Sequence, residues 1–286
     1  MNKHPRCSGE EKEVSDFLMN FAKARDLEAY QDEVYNVIIK KPGTEGYEDS
    51  ETMILQGHMD MVCVKGEGSD HDFSKDPIEM IVDGDYLKAN DTTLGADDGI
   101  AVAYMLAVLD SDDLSHPPLE ILVTTSEETG MDGVQYMSKD IEGLVQTSLN
   151  NAIVEEEDGK VKITTSVRSS SSSSLREILS ILEVVAERTG AEIEETGNYP
   201  AWQFEEDSPV RDRALKVYKD LFGEEAEVSA IHAGLECGLL KEILPETDML
   251  SFGPNLYDVH TEKEHISIPS ARRVWEFLVA LLEESK

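Results

Sequence analysis

Several apolar segments of this chain are followed directly by acidic or imidazole side chains. Nitrogen and carboxylate ligands delivered by separate strand ends are what a hydrolytic metal centre requires. The pattern therefore favours a fold whose strand ends converge, and it predicts a metal-dependent hydrolase. The side chains are His58 and Asp60 after residues 53–55, Asp97 within 94–99, Glu127 and Glu128 after 121–123, and His260 beyond 249–252.

The chain carries a large excess of acidic residues. Its 60 aspartates and glutamates against 25 lysines and arginines give a formal charge of −35, which would repel nucleic acid and anionic membranes. We therefore expect neither as a partner. A solvated surface or adaptation to salt also explains most of these charges.

The cysteines and the N-terminal sequence indicate a compartment. Cys7, Cys63 and Cys237 are too few and too scattered for a disulfide framework. No apolar stretch resembles a signal peptide or a membrane span. We expect reduced cysteines and a cytoplasmic protein.

Strands alternate with helices along most of the chain, which predicts the α/β class. We expect a mixed, mainly parallel sheet with helices on both faces and ligands beyond the carboxyl ends of its strands. The first helix opens on a capping-box pattern from Ser8 to Glu11. The predicted strands are 37–39, 53–55, 119–125, 249–252 and a hairpin over 81–88, and the predicted helices are 8–26 and 100–109.

The middle of the chain does not continue the alternation of strands and helices. It contains a predicted hairpin, 149–154 with 161–167, a serine run and a helix that ends at Gly190, which together are small for an independent domain. The α/β pattern resumes after Pro200. We therefore predict a discontinuous α/β domain of residues 1–133 and 198–286 and a small α+β segment of residues 134–197.

His58 and Asp60 lie on the same side of an extended backbone, because side chains alternate along a strand. His58 could bind a metal through one ring nitrogen while Asp60 orients the ring. The alternative is a hydrogen-bonded pair at a strand end. Asp97 follows a glycine-rich turn at a helix N-terminus, where it could bridge two ions or cap the helix.

Glu127 and Glu128 are adjacent carboxylates after a buried strand. They would point in different directions, so one could hold a metal while the other takes a proton from a metal-activated water. The alternative is a pair of solvated acids in the loop of a strongly acidic chain.

Five motifs, in order across nearly the whole chain, resemble the aminoacyl-histidine dipeptidases, which are cytosolic dizinc peptidases within the wider M20 metallopeptidase group. The motifs are residues 57–62 (GHMDMV), 92–100 (TTLGADDGI), 125–133 (TSEETGMDG), 231–238 (IHAGLECG) and 251–254 (SFGP).

The resemblance implies a dizinc centre in which Asp97 bridges the two ions. Glu127 would be the general base. His232 would border the substrate pocket, with a packed loop histidine as the alternative. The other assignments are His58 for the first metal, Glu128 and His260 for the second, and Asp60 for orienting the first histidine.

The chain departs from the family after residue 133. Family members carry there a strand ending in an acidic run, whose aspartate completes the first metal site, and then the first half of a lid domain. Here the sequence passes directly to what resembles later lid sequence, so we infer an internal deletion that leaves residues 134–197 as a residual lid. The first metal site would then lack its terminal carboxylate. The acidic run 155–158 has suitable ligand types but lies in the predicted hairpin.

We therefore predict hydrolysis of short peptides, of the Xaa-His dipeptide type, by a metal-activated water with a glutamate base. The resemblance implies two zinc ions and the missing ligand favours one, with cobalt or manganese as substitutes. Two rival hypotheses are a non-catalytic or weakly active remnant with a single metal and an N-acyl amino acid deacylase. A homodimer through the residual lid is expected if that segment is still competent.

Overall fold

The computed structural model describes the whole chain except residues 5, 129–134, 138–144, 158–159, 170, 197–201, 203 and 230–235. The helices are α1 (Lys12–Lys23), α2 (Ala96–Asp110), α3 (Ser172–Thr189), α4 (Pro209–Phe222), α5 (Glu236–Ile243) and α6 (Ile268–Glu283). The strands are β1 (Glu28–Gln31), β2 (Val37–Lys41), β3 (Met53–His58), β4 (Met80–Asp83), β5 (Tyr86–Ala89), β6 (Leu119–Thr124), β7 (Gln135–Met137), β8 (Val145–Glu157), β9 (Lys160–Ser169), β10 (Leu256–Tyr257) and β11 (His265–Ser267).

The chain divides into two compact units, of which the first holds most of the N-terminal half. We predicted that the α/β domain resumes at residue 198, whereas the second unit extends to Asp212 and also includes residues 225–251. An amphipathic helix such as α5 would show the same apolar periodicity in either unit. This periodicity therefore does not indicate the unit to which the helix belongs. The first unit is Met1–Thr129, Arg213–Glu224 and Phe252–Lys286, and the second is Gly130–Asp212 and Glu225–Ser251.

The first unit contains a mixed four-stranded sheet in the order β1-β2-β6-β3, which confirms the α/β class. β3 and β6 are parallel, in register from Met53 opposite Leu119 to His58 opposite Thr124. The other two pairs are antiparallel, so this sheet is less parallel than predicted. A short turn joins β1 to β2, and such a turn permits only the antiparallel pairing. The carboxyl ends of β3 and β6 therefore lie side by side.

Helices α1, α2 and α6 share one apolar core with this sheet. Leu18, Val102 and Leu282 reach the core from the three helices, and Ile39 and Ile121 reach it from β2 and β6. Each is almost fully buried, and burying such a side chain contributes about 1.5 to 3 kcal/mol. The core fixes the strand ends that carry the candidate site.

A second sheet of the first unit has the order β10-β11-β5-β4 and includes the predicted hairpin at Gly84. The prediction of a strand over 249–252 is wrong, because these residues form no strand and Phe252 is exposed. A four-residue apolar run does not specify a partner strand, and pairing begins later, at Leu256.

The second unit contains the three-stranded sheet β7-β8-β9 and helix α3, which confirms the predicted hairpin and helix. Ser171, in the serine run, is the N-cap of α3 and its hydroxyl accepts the N–H of Ser174, while Gly190 ends the helix with a φ of 73°. Among the described residues, no helix combines the length and the apolar character that a bilayer crossing requires.

Cys7 and Cys63 form a disulfide, with their Cα atoms 5.7 Å apart, whereas the sequence predicted reduced cysteines. Backbone pairing explains the contact, because Cys7 lies beside Met61 in a parallel bridge and the Arg6 carbonyl accepts the N–H of Met61 at 3.0 Å. The number and spacing of cysteines carry no information about such a pairing. Cys237 is free.

Replacing both Cys7 and Cys63 with serine should lower the free energy of unfolding by about 4 kcal/mol, because the disulfide closes a long loop in the unfolded chain. Urea unfolding without reductant measures the difference, and Cys237→Ser is the matched control with little expected effect. Thiol titration of the denatured, unreduced protein should find one free thiol among the three cysteines. Three free thiols would contradict the disulfide.

Candidate metal centre

The ends of β3 and β6 deliver four of the predicted site residues. β3 ends at His58, opposite Thr124 of β6, and Asp60, Glu127 and Glu128 follow within a few residues. Because the carboxyl ends of parallel strands meet at one edge of a sheet, these four side chains converge.

Asp97 enters the site at the start of α2, after a turn at Gly95 with a φ of 65°. Its two carboxylate oxygens face two different histidines. Oδ1 lies 3.3 Å from Nε2 of His58, and Oδ2 lies 3.5 Å from Nε2 of His260. The carboxylate of Asp97 therefore lies between the two histidines.

His260 lies in the loop before β11 and completes the group. Its Nε2 is 2.8 Å from Oε2 of Glu128, although the residues are far apart in the sequence. The candidate ligand atoms of His58, Asp97 and Glu128 lie within 4.8 Å of one another. The structure thus brings together all four predicted metal ligands.

Asp60 organises the surrounding backbone as well as the imidazole. Its carboxylate is fully buried and lies 3.3 Å from Nδ1 of His58. It also accepts the N–H groups of Glu127 at 3.2 Å and Glu128 at 3.3 Å, and the hydroxyl of Ser8 at 2.7 Å. The sequence predicted the contact with the histidine but not the support of the carboxylate turn.

His58 presents Nε2 to the site. Its Nδ1 faces the carboxylate of Asp60 and also the Asp60 carbonyl, at 3.2 Å. Nε2 faces Asp97 and, at 3.8 Å, Oε2 of Glu127. An acidic partner behind the ring is the usual way in which proteins orient a metal-binding histidine.

The carboxylates of this cluster strongly perturb one another. Burial raises the pKa of Glu128 to about 8, and the charge of Asp97 adds to the effect. Burial acts to lower the pKa of His58, but hydrogen bonds to Asp60 and Asp97 outweigh it and raise that pKa to about 11. Burial, with a smaller contribution from neighbouring carboxylates, thus disfavours the ionised form of Glu128.

The cluster suits a divalent cation. Oε1 of Glu128 is buried and has no hydrogen-bond partner among the described residues, so it is a free acceptor inside the site. Imidazole nitrogens together with carboxylate oxygens form a donor set that zinc prefers. The residues present therefore fit such an ion.

Sequence reasoning missed the contribution of the N-terminal segment. The capping-box prediction is wrong, because Glu11 makes no side-chain cap to α1 and Ser8 donates to Asp60 instead. Oε1 of Glu11 accepts both the N–H and the hydroxyl of Ser126, each at 3.0 Å, and Ser126 has a φ of 58°. These polar groups hold the turn before Glu127, and a local pattern does not reveal such distant partners.

His232, the predicted substrate contact, lies outside the described residues, and its role stays a prediction. The acidic run 155–158 is partly described. Glu155 and Glu156 are exposed on β8, opposite Lys162 and Val161 of the hairpin.

Known proteins resemble this chain over nearly its whole length. The cytosol non-specific dipeptidase of Escherichia coli (strain K12) is 25% identical over 459 aligned positions, which cover 98% of this chain and 95% of that protein. Because the alignment is much longer than the 286 residues of the chain, the relative contains internal sequence that has no counterpart here. This agrees with the inferred internal deletion.

Solved structures share the fold. The aminoacylhistidine dipeptidase of Vibrio alginolyticus superposes with a TM-score of 0.86 at 24% identity, covering 99% of this chain and 94% of that one. A dinuclear metal-binding peptidase of the M20 family from Bacillus subtilis gives a TM-score of 0.63 at 14% identity, covering 98% and 94%. The model of peptidase family M20/M25/M40 matches residues 54–284, a span that contains every ligand of the candidate centre, and the chain therefore belongs to this peptidase family.

Proposed function

We propose that this protein is a metal-dependent dipeptidase that hydrolyses short peptides, with Xaa-His dipeptides as its substrate class. The observation that carries the proposal is the Asp97 carboxylate, whose two oxygens face His58 and His260 separately. The names of the relatives from Escherichia coli and Vibrio alginolyticus support dipeptides as substrates.

Two zinc ions with unequal affinity account best for the ligand set. His58 and Asp97 would hold one ion, and Asp97, Glu128 and His260 would hold the other, with cobalt or manganese as substitutes. The first ion has one protein ligand fewer among the described residues, so it should bind more weakly. We expect this deficit to lower activity.

Glu127 would act as the general base. A bound divalent cation lowers the pKa of water and polarises a carbonyl group. The carboxylate of Glu127, at Oε2, would accept a proton from the attacking water and return it to the nitrogen of the leaving amine. Asp60 would orient His58 and hold the backbone N–H of Glu127, and His232 would contact the substrate.

A remnant that binds a single ion and does not cleave peptides is the second candidate. The ligand atoms of His58, Asp97 and Glu128 lie close enough together for one ion to contact all three. Such a protein would keep the fold of the family and its affinity for metal.

Metal counting and a substrate panel test these proposals. The purified chain is stripped with a chelator and titrated with zinc, and bound metal is counted by mass spectrometry. It is then assayed with Xaa-His dipeptides, other dipeptides and N-acyl amino acids. We expect two ions of different affinity and cleavage of Xaa-His dipeptides that is lost on chelation. One ion without any cleavage would establish the remnant, and cleavage of N-acyl amino acids alone would establish a deacylase.

We propose that residues 134–197 form a residual lid that mediates a homodimer. Several described apolar side chains of this segment are exposed, with Val161 67%, Ile163 55% and Ile181 52% accessible. Val161 and Ile163 lie on the same face of β9, because side chains alternate along a strand, and exposed apolar side chains on one face favour an interface. Sedimentation of the wild type and of Ile163→Lys compares the oligomeric states, and a monomeric wild type would contradict the dimer.

We also propose a cytoplasmic location, as the name of the Escherichia coli relative gives for that protein. The disulfide between Cys7 and Cys63 weighs against it, because disulfides persist mainly in oxidising compartments. Thiol counting on protein trapped directly from cells decides between the two.

A further inference from the structure

Arg6 is a buried cation that no step of the proposed chemistry uses. Its side chain is only 4% exposed. Nη1 donates to the carbonyls of Met59 at 3.0 Å and Asp60 at 3.3 Å, and Nη2 donates to the carbonyl of Gly95 at 2.5 Å. One guanidinium therefore joins two backbone segments that are distant in the sequence.

These two segments carry the first pair of metal ligands. Met59 directly follows His58, and Gly95 precedes Asp97 by two residues. Arg6 thus donates to both backbones close to His58 and Asp97, whose side chains meet at 3.3 Å.

Two glycines allow the backbone to approach this guanidinium closely. A side chain at Gly95 would collide with Nη2 of Arg6, and a Cβ at Gly99 would lie 2.9 Å from the same atom. The guanidinium therefore crowds a side chain at both positions, and at Gly95 the Sδ atom of Met61, at 2.7 Å, and the positive φ of 65° restrict the position further. A planar fork of donors suits several carbonyls at once, whereas the compact ammonium of lysine does not.

Negative charge surrounds Arg6. Burial lowers its pKa to about 10, while the charges of Glu264, Asp60, Asp98 and Glu128 act to raise it. Burying an ion costs several kcal/mol unless other charges compensate. The compensating carboxylates belong to the candidate metal centre or its supports, so the cation and the centre stabilise each other.

Glu264 holds the same turn from the opposite side. This buried carboxylate accepts the N–H groups of Leu94 and Gly95, each at 2.9 Å, and of Ala96 at 2.7 Å. Glu264 follows His260 by four residues, so the Asp97 turn is also linked to the loop of the second histidine. The turn is fixed through its carbonyl by Arg6 and through its N–H groups by Glu264.

We infer that Arg6 is a positioning residue of the metal centre, which sets the separation of His58 and Asp97 by holding the two backbone segments that carry them. The inference rests on the proposed metal-dependent function. It predicts that the shape of the guanidinium matters, and not only its charge.

Arg6→Lys tests the inference because it keeps the positive charge but removes the planar set of N–H donors. We expect zinc affinity to fall by about 10- to 100-fold, the range typical of groups that support metal ligands. The visible spectrum of the cobalt-substituted protein should change, and kcat should fall more than KM rises. Arg25→Lys is the matched control, because Arg25 donates to a backbone carbonyl and to Asp110 away from the site.

A folded Arg6→Lys protein with unchanged zinc affinity and cobalt spectrum would overturn the inference. If this variant does not fold, Arg6→Ala is titrated with low millimolar guanidinium chloride, which should restore folding and zinc affinity together. Restored folding without zinc affinity, or no folding of either variant with guanidinium, would assign Arg6 to the fold alone. Failure of the wild type to bind zinc would instead refute the proposed function.

Discussion

Glu127→Gln should lower kcat for dipeptide hydrolysis by about 100- to 10,000-fold, the usual contribution of a general base, while zinc content stays unchanged. Glutamine has the size of glutamate but accepts no proton at neutral pH. The side chain of Glu127 approaches Nε2 of His58 only to 3.8 Å, whereas Glu128 lies 2.8 Å from His260. Glu127 therefore lies near His58, and zinc content distinguishes a base from a ligand. Steady-state kinetics and metal analysis on the same preparation measure both effects.

Glu120→Gln is the matched control for this variant. Glu120 lies on β6, the strand that leads to Glu127, and pairs at the surface with Lys40 at 2.9 Å. Its substitution should leave kcat unchanged. If Glu127→Gln retained its turnover, Glu127 would not be the general base. If bound zinc and turnover were lost together, Glu127 would instead be a metal ligand.

Part of the candidate site could be predicted from the sequence because His58, Glu127 and Glu128 lie at or just after the ends of predicted strands, whereas the ligand roles and the place of His260 came from the family resemblance. Once β3 and β6 are recognised as neighbouring parallel strands, geometry alone brings His58 close to Glu127 and Glu128. A helix that starts at a glycine turn adds Asp97 to the same edge. Each of these steps depends on a local pattern and on a general property of parallel sheets.

The supports of the site could not be predicted in this way. Arg6, Ser8 and Glu11 act on residues at least 50 positions away, and Ser8 and Glu11 were instead interpreted as a helix cap. Glu264 holds a turn nearly 170 positions earlier in the chain. The disulfide at Cys7 depends on the same long-range pairing of the N-terminal segment. Local periodicity contains no information about such partners, because it reports only which face of an element is apolar.

The division into units shows the same limitation. Residues 225–251 were included in the α/β pattern that resumes after Pro200, yet they belong to the second unit. The apolar run 249–252 has the composition of a core strand but no strand partner. Local composition indicates whether a segment favours a helix or a strand. Long-range contacts decide whether it forms and in which sheet or unit it packs.

Asp97→Asn should weaken zinc binding by more than about 100-fold, which exceeds the effect typical of groups that merely support a ligand. Asparagine keeps the size of the side chain but loses the charge and one carboxylate oxygen. It could therefore not bind both the ion beside His58 and the ion beside His260. Bound zinc should fall from two ions towards one weakly held ion. Competition with a chromophoric chelator measures the affinity, and metal analysis gives the stoichiometry.

Asp98→Asn separates the bridging role from the general effect of a lost charge. Oδ2 of Asp98 accepts the backbone N–H of His58 at 3.3 Å, so this neighbour supports the end of β3. Its substitution should cost less zinc affinity than that of Asp97. Zinc at 100 times its Kd adds about 2.7 kcal/mol to the free energy of unfolding, so the thermal stabilisation by zinc should persist in Asp98→Asn and largely disappear in Asp97→Asn. A larger loss of zinc affinity in Asp98→Asn than in Asp97→Asn would assign the bridging role to Asp98. Equal losses in the two variants would show that the negative charge, and not the bridging geometry, holds the ions.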